Sequence, residues 1–175
     1  MRRSDLEHLI RAAGRIAGER EVVIIGSQSV LGQFPDAPVA LLMSMEADLY
    51  PKGRPELADQ VDGAIGEGSK FHATHGYYAQ GVGPETATLP TGWQRRLVRV
   101  ENRNTNGYAG LCLEVHDLAI SKYVAGRQKD REFTRELARH GMTGRALLLK
   151  RLARTKIDSP LRKIVQGRIT WDFPE

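Results

Sequence analysis

The sequence predicts an α/β (α+β) fold: a mixed β-sheet core flanked by helices over residues 1–115, then a helical C-terminal portion over 116–175 packed on it as one structural unit. Three observations predict it. Val22 to Ile25 is a β-branched run that ends on Gly26-Ser27, the pattern of a buried strand turning tightly into a helix. Asn106-Gly107 lies between two apolar segments and signals a hairpin. From His116 onward, apolar residues recur at helical spacing between start and stop signals.

Taken in order, Ser4-Asp-Leu-Glu7 reads as a capping box, and Leu6, Leu9, Ile10, Ala13, Ile16 and Ala17 make an amphipathic helix over 5–18. A strand follows at 21–25 and a short helix at 27–33, stopped by the prolines of Phe34-Pro-Asp-Ala-Pro38. Val39 to Ser44 either joins the strand over 45–50 or packs as a connecting turn. Pro55 suits the first position of a helix over 56–66. Strands are expected at 77–82, 93–101 and 108–115. Asp117 would cap a helix running to Ala125 with Gly126 as its stop, and helices containing Phe133, Leu148 and Ile164 complete the chain.

The composition is that of a globular protein, 41% hydrophobic and 27% charged, and 175 residues allow one sizeable core. No apolar run approaches the ~20 residues of a membrane helix, and no apolar segment follows Met1-Arg-Arg, so neither a membrane partner nor a secretory signal is expected. A single cysteine, Cys112, cannot form an internal disulfide, which fits a reducing cytoplasm. The net charge of +5 is concentrated after residue 130, with eleven Lys or Arg against five Asp or Glu. RNA would account for that excess, and so would a solvated helical surface.

The chemistry centres on residues 21–50. Glycine leaves room for close approach, and a helix N-terminus aims free N–H groups at an anion. Met45-Glu46-Ala47-Asp48-Leu49-Tyr50 alternates, so Glu46 and Asp48 share one face of a strand with Cα atoms about 6.5–7 Å apart. Two such carboxylates suit hard cations held between protein and phosphate, which points to metal-dependent phosphoryl or nucleotidyl transfer. Taken alone, Gly26-Ser27 reads as a plain turn, and the acid pair as the solvent face of an edge strand.

Gly26-Ser27 followed by Glu46-Ala47-Asp48 resembles the core motif of the DNA polymerase β-like nucleotidyltransferase superfamily. Asp117-Leu-Ala-Ile-Ser-Lys122-Tyr-Val-Ala-Gly-Arg127-Gln-Lys129-Asp130 resembles the lysine-and-acid motif of its abortive-infection (AbiEii-like, minimal nucleotidyltransferase) toxin branch. The resemblance implies a nucleotidyltransferase-type sheet, Mg²⁺ (or Mn²⁺) on Glu46 and Asp48, and an NTP bound by Gly26, Ser27, Lys122, Arg127 and Asp130. It implies Glu46, Asp48 and Lys122 as catalytic groups, RNA (a tRNA end) or a protein as acceptor, and an antitoxin as a partner. Asp130 would orient Lys122 or Arg127, or only cap the next helix.

The chain departs from the superfamily pattern in two places. Glu46 stands where aspartate is commoner, and Tyr77-Tyr-Ala-Gln-Gly-Val82 carries no third carboxylate, with Glu85 and Glu101 the nearest substitutes. A catalytically degenerate nucleotide- or RNA-binding module of the same fold is therefore the second reading. His72-x-x-His75 would need one turn of helix to form a zinc pair, and its glycine-rich surroundings place it instead in a loop or at a strand end.

Overall fold

The computed structural model describes residues 1–174 and divides into two compact units, Met1–Thr86 with Leu97–Leu113, and a second made of residues 87–96 and 114 onward. The first unit holds a five-stranded mixed sheet with the order β3-β2-β1-β5-β4. Its strands are β1 (Glu21–Ile24), β2 (Glu46–Pro51), β3 (Tyr78–Gly81), β4 (Val98–Val100) and β5 (Ala109–Cys112). β1 pairs antiparallel with β2 and parallel with β5, β2 pairs parallel with β3, and β4 returns antiparallel on β5.

Four helices belong to this unit: α1 (Arg3–Ala17), α2 (Val30–Gln33), α3 (Ala58–Ile65) and α4 (Lys70–His75). The apolar stripe of α1, with Leu6, Leu9, Ile10 and Ala13 fully buried, packs on the sheet. Gly110 on β5 admits it, since a Cβ there would lie 2.8 Å from Ile10 Cγ1. Ala47 and Leu49 are also fully buried, so alternation turns Glu46 and Asp48 to the opposite face of β2.

Three elements ahead of residue 114 differ from the sequence expectation. α1 starts at Arg3 because Asp5, rather than Ser4 and Glu7, closes the first turn: the Arg2 amide donates to Asp5 Oδ2 at 2.7 Å. Glu7 is thereby released inward, where it accepts from Arg3 Nε at 2.9 Å, Asn102 Nδ2 at 2.7 Å and Asn104 Nδ2 at 2.8 Å. Residues 70–75 are helical, with Ser69 Oγ accepting from the His72 amide and Gly76 ending the turn at φ +75°. Trp93–Arg96 is a 3₁₀ turn rather than strand, and only Val98–Val100 pairs.

The second unit contains α5 (Val115–Ala125), α6 (Gln128–Arg139), α7 (Arg145–Ala153) and α8 (Ser159–Asp172). α5 buries residues on every side, as a helix enclosed by neighbours must, and α6, α7 and α8 each pack against it. Its N-cap is Glu114, whose carboxylate accepts from the His116 and Asp117 amides at 3.1 and 3.3 Å. Asp117 is therefore not the cap. It lies wholly buried, receives Arg96 through two bonds of 2.7 and 3.0 Å, and pairs with Arg151 at 3.3 Å.

Glu7 offers a direct test of the α1 anchor. Burial alone would raise its pKa, but the hydrogen bonds from Asn104, Asn102 and Arg3 outweigh it and hold the carboxyl below 4.5. A depressed carboxyl contributes stability that is present above its unfolded pKa and is lost as pH falls through the folded value. Glu7→Gln is expected to cost about 1.5–3 kcal/mol at pH 7, the range for a hydrogen bond to a charged group. In urea unfolding the gap from wild type should narrow as pH drops below 4.5, and a gap constant from pH 7 to 3 contradicts the assignment.

Candidate functional site

The geometry of the first unit gathers around the end of β1. Ile25 donates its amide to the Asp48 carbonyl at 3.0 Å, which extends the β1–β2 pairing to the start of the turn. Gly26 follows with φ −81°, an ordinary value, so its requirement is space and not a left-handed backbone. A Cβ on Gly26 would lie 2.7 Å from Asp48 Cγ, closer than real Cβ atoms come. The Asp48 carboxylate thus rests directly over the glycine. Ser27 opens the 3₁₀ turn Ser27–Ser29, and Ser29 Oγ ties that turn back to the Ile24 carbonyl at 2.7 Å.

Glu46 stands two residues before Asp48 on the same face, and β3 sets Tyr78 and Gln80 beside them in register. Tyr78 donates its hydroxyl to Glu46 Oε2 at 3.2 Å, and His72 packs its ring on Tyr78 at 4.6 Å between centroids. Burial first, then the Glu46 charge and hydrogen bond and the charges of Glu67 and Asp48, push the Tyr78 hydroxyl up to about 12. Two unit negative charges separated by the acid pair's Cα spacing of about 6.5–7 Å would repel by about 0.6 kcal/mol in bulk water and about 2.5 kcal/mol at an effective dielectric of 20, which would favour a cation between them.

The donor set fits a hard divalent ion. Mg²⁺ is typically held by one or two carboxylates, with substrate phosphate and water completing the octahedron. Among the described residues no three His, Cys, Asp or Glu side chains converge as a metal cage, so an ion on Glu46 and Asp48 would need further ligands from outside the chain. Gln28 is the sign of an unmade contact. It is wholly buried directly after Gly26-Ser27, and among the described residues neither its amide nitrogen nor its oxygen finds a hydrogen-bond partner. Sequence reasoning passed over Gln28, because nothing in the linear pattern marks it as buried.

His72 and His75 share a face of α4, as a zinc pair would, but both rings are occupied in packing. The Gly68 amide donates to His72 Nδ1 at 3.1 Å, and His75 meets His8 edge-on at 4.8 Å within a group that includes Phe71 and Tyr77.

In the second unit Lys122, Arg127 and Asp130 come together. Asp130 is almost fully buried; Arg127 Nε donates to it at 2.7 Å, and Lys122 Nζ lies 3.3 Å from its other oxygen. Burial would raise the Asp130 pKa, yet the Arg127 bond and the Lys122 charge outweigh it and keep the carboxyl below 3.8. Two cations against one anion leave the cluster net positive, which suits phosphate. Lys122 is also 5.9 Å from the Phe133 ring centroid, so its ammonium is held on two sides.

The family model described as a nucleotidyltransferase of unknown function (DUF6036) matches residues 4–158. The chain belongs to that family. No curated protein and no solved structure matches it. The family segment includes Gly26-Ser27, Glu46, Asp48, Lys122, Arg127 and Asp130 and stops in front of α8. No helix among the described residues of this nucleotidyltransferase-family chain is long and apolar enough to cross a membrane.

Gln28 yields a prediction that does not depend on turnover. A buried amide without partners costs about 1–3 kcal/mol, so Gln28→Met, of similar volume, is expected to stabilise the ligand-free protein by up to that amount. Denaturant unfolding measures it. A loss of stability instead would mean that the amide is already satisfied.

Proposed function

We propose that this chain is a divalent-metal-dependent nucleotidyltransferase that moves a nucleoside monophosphate from an NTP to a hydroxyl on RNA. The observation that carries the reading is the Asp48 carboxylate lying over Gly26, with Glu46 beside it on the same strand face. In the reaction the acceptor oxygen bonds to the α-phosphorus, the bond from that phosphorus to pyrophosphate breaks, and the hydroxyl proton leaves to solvent. Glu46 and Asp48 would hold Mg²⁺ or Mn²⁺, which supplies neutralisation of the leaving pyrophosphate and of the developing charge on the acceptor oxygen. The Gly26–Ser27 amides and the Ser27 hydroxyl would bind phosphate oxygens. Tyr78 keeps its proton, raised to about 12, and serves to orient Glu46 rather than to act as a base.

The Lys122–Arg127–Asp130 cluster is proposed in its own right as a phosphate-binding element, with Asp130 fixing the two cations. Resemblance to the abortive-infection branch further supports a cytoplasmic toxin with a tRNA end or a protein as its acceptor and an antitoxin partner. One observation favours the second reading, a binding module without turnover: Gln80, not an acid, lies in register with Asp48.

Labelled NTP, Mg²⁺ and total RNA incubated with the full chain separate the two, since label in RNA or protein requires transfer and saturable retention alone does not. Asp48→Asn keeps the shape over Gly26 and removes the charge. Transfer is expected to fall at least about 100-fold, the equivalent of losing several kcal/mol of charge stabilisation. Transfer at the wild-type rate in that variant rejects the assignment.

A further inference from the structure

α8 lies outside the segment that the family model matches, and it carries the most exposed tryptophan of the described residues, Trp171, at 75% exposure. A tryptophan at the end of a helix would ordinarily fray with it. Here the next residue is anchored: Asp172 accepts from Tyr123 Oη at 2.9 Å and Thr134 Oγ1 at 3.1 Å, and Arg135 lies 3.8 Å away. Arg168, one turn earlier, donates to the Tyr123 carbonyl at 2.6 Å. The last turn of α8 is therefore fixed to α5 and α6, and Trp171 is presented at a defined place.

Its surroundings are cationic on one side and open on the other. Trp171 lines a small hollow with Arg131, Arg135 and Arg168, and also borders a shallow one of ≈ 550 Å³ with Lys163 and Gly167. Lys163, Gly167 and Trp171 are spaced four apart and share a face of α8. A Cβ on Gly167 would meet nothing within 4 Å, so bare helix backbone leaves a slot beside the tryptophan. From the N-cap of α6 onward, Arg127, Arg131 and Arg135 are likewise four apart, a row of guanidinium groups rising about 6 Å per step and leading from the Lys122–Arg127–Asp130 cluster toward Trp171.

We propose that this face of α6 and α8 binds single-stranded RNA, with one base stacked on Trp171 in the Gly167 slot and successive phosphates met by Arg131, Arg135 and Lys163. An exposed aromatic platform beside a basic track is the arrangement that holds single strands without reading sequence. An anionic strand is favoured over a protein partner because Arg131, Arg135, Arg168 and Lys163 line the two hollows beside the ring against one acid, Asp172. The proposal rests on the RNA-acceptor reading above and names where that strand lies.

The test uses the full chain, a fluorescein-labelled single-stranded RNA of mixed sequence and fluorescence anisotropy at several salt concentrations, without NTP or Mg²⁺. Trp171→Ala is expected to weaken binding about 5- to 150-fold, the span measured for one stacked base, while Trp171→Phe retains most of the affinity. Arg131→Gln with Arg135→Gln should lower the slope of log affinity against log salt by about 1.4, two phosphates' worth on a single strand. Wild-type affinity in Trp171→Ala, or no RNA binding by the wild-type chain, overturns the proposal. A change in sedimentation of Trp171→Ala without a change in RNA affinity overturns it too, and assigns the face to self-association or a protein. Because the assay lacks nucleotide and metal, its failure leaves the Asp48 transfer result standing, and the reverse holds equally.

Discussion

The approach of the Asp48 carboxylate to the Gly26 backbone constrains everything around it. Any side chain at residue 26 would displace that carboxylate, whereas glycine lets the two main-chain segments close through the Ile25–Asp48 hydrogen bond. The antiparallel register of β1 and β2 then follows, with Ile24 opposite Leu49 and Val22 opposite Pro51. Once Leu49 and Ala47 are buried, alternation leaves Asp48 and Glu46 no choice of face. A one-residue slip would bury both charges and expose the core. The apolar packing of the sheet thus enforces the placement of the acids.

Charge is handled differently in the two units. In the second, each buried acid is surrounded: Asp117 takes two arginines and Asp130 a lysine and an arginine. Such groups repay their desolvation only with several well-made bonds, and removing one partner typically costs about 3–5 kcal/mol. In the first unit Glu7 is treated the same way, with Arg3 and two asparagines. Glu46 and Asp48 stand beside each other on β2, with Tyr78 and Gln80 next to them on β3. The acid pair is the place where the sheet sets two like charges side by side.

Much of this was legible in the linear pattern where the pattern is periodic. The β-branched run before Gly26, the alternation from Glu46 to Tyr50 and the stop at Gly126 all appear where the periods place them. Failures came where a local signal had two solutions and a distant partner chose between them. Glu114 and Asp117 are both competent caps for α5; Arg96 and Arg151 draw Asp117 inward, and Glu114 is left to cap. Trp93 to Val100 can alternate as a strand, yet the 3₁₀ turn over Trp93–Arg96 aligns Arg96 with Asp117. Residues 70–75 have no apolar period long enough to announce a helix, and rest on Ser69, Gly76 and ring packing with His8.

The position expected to carry a third acid shows what the register adds. Parallel pairing puts Gln80 beside Asp48 and Tyr78 beside Glu46, so the neighbouring strand offers an amide and a phenol where a carboxylate would have joined the pair. Neither can take a proton near neutral pH: an amide has no basic site at that pH, and the phenol hydroxyl is already protonated and held so first by burial and then by the acids around it. In the proposed reaction, an ion held by Glu46 and Asp48 would draw its remaining ligands from phosphate and water, so nucleotide would strengthen its binding. The rate would then come from positioning and charge neutralisation rather than from proton abstraction by the protein, which is what phosphoryl transfer asks of a protein.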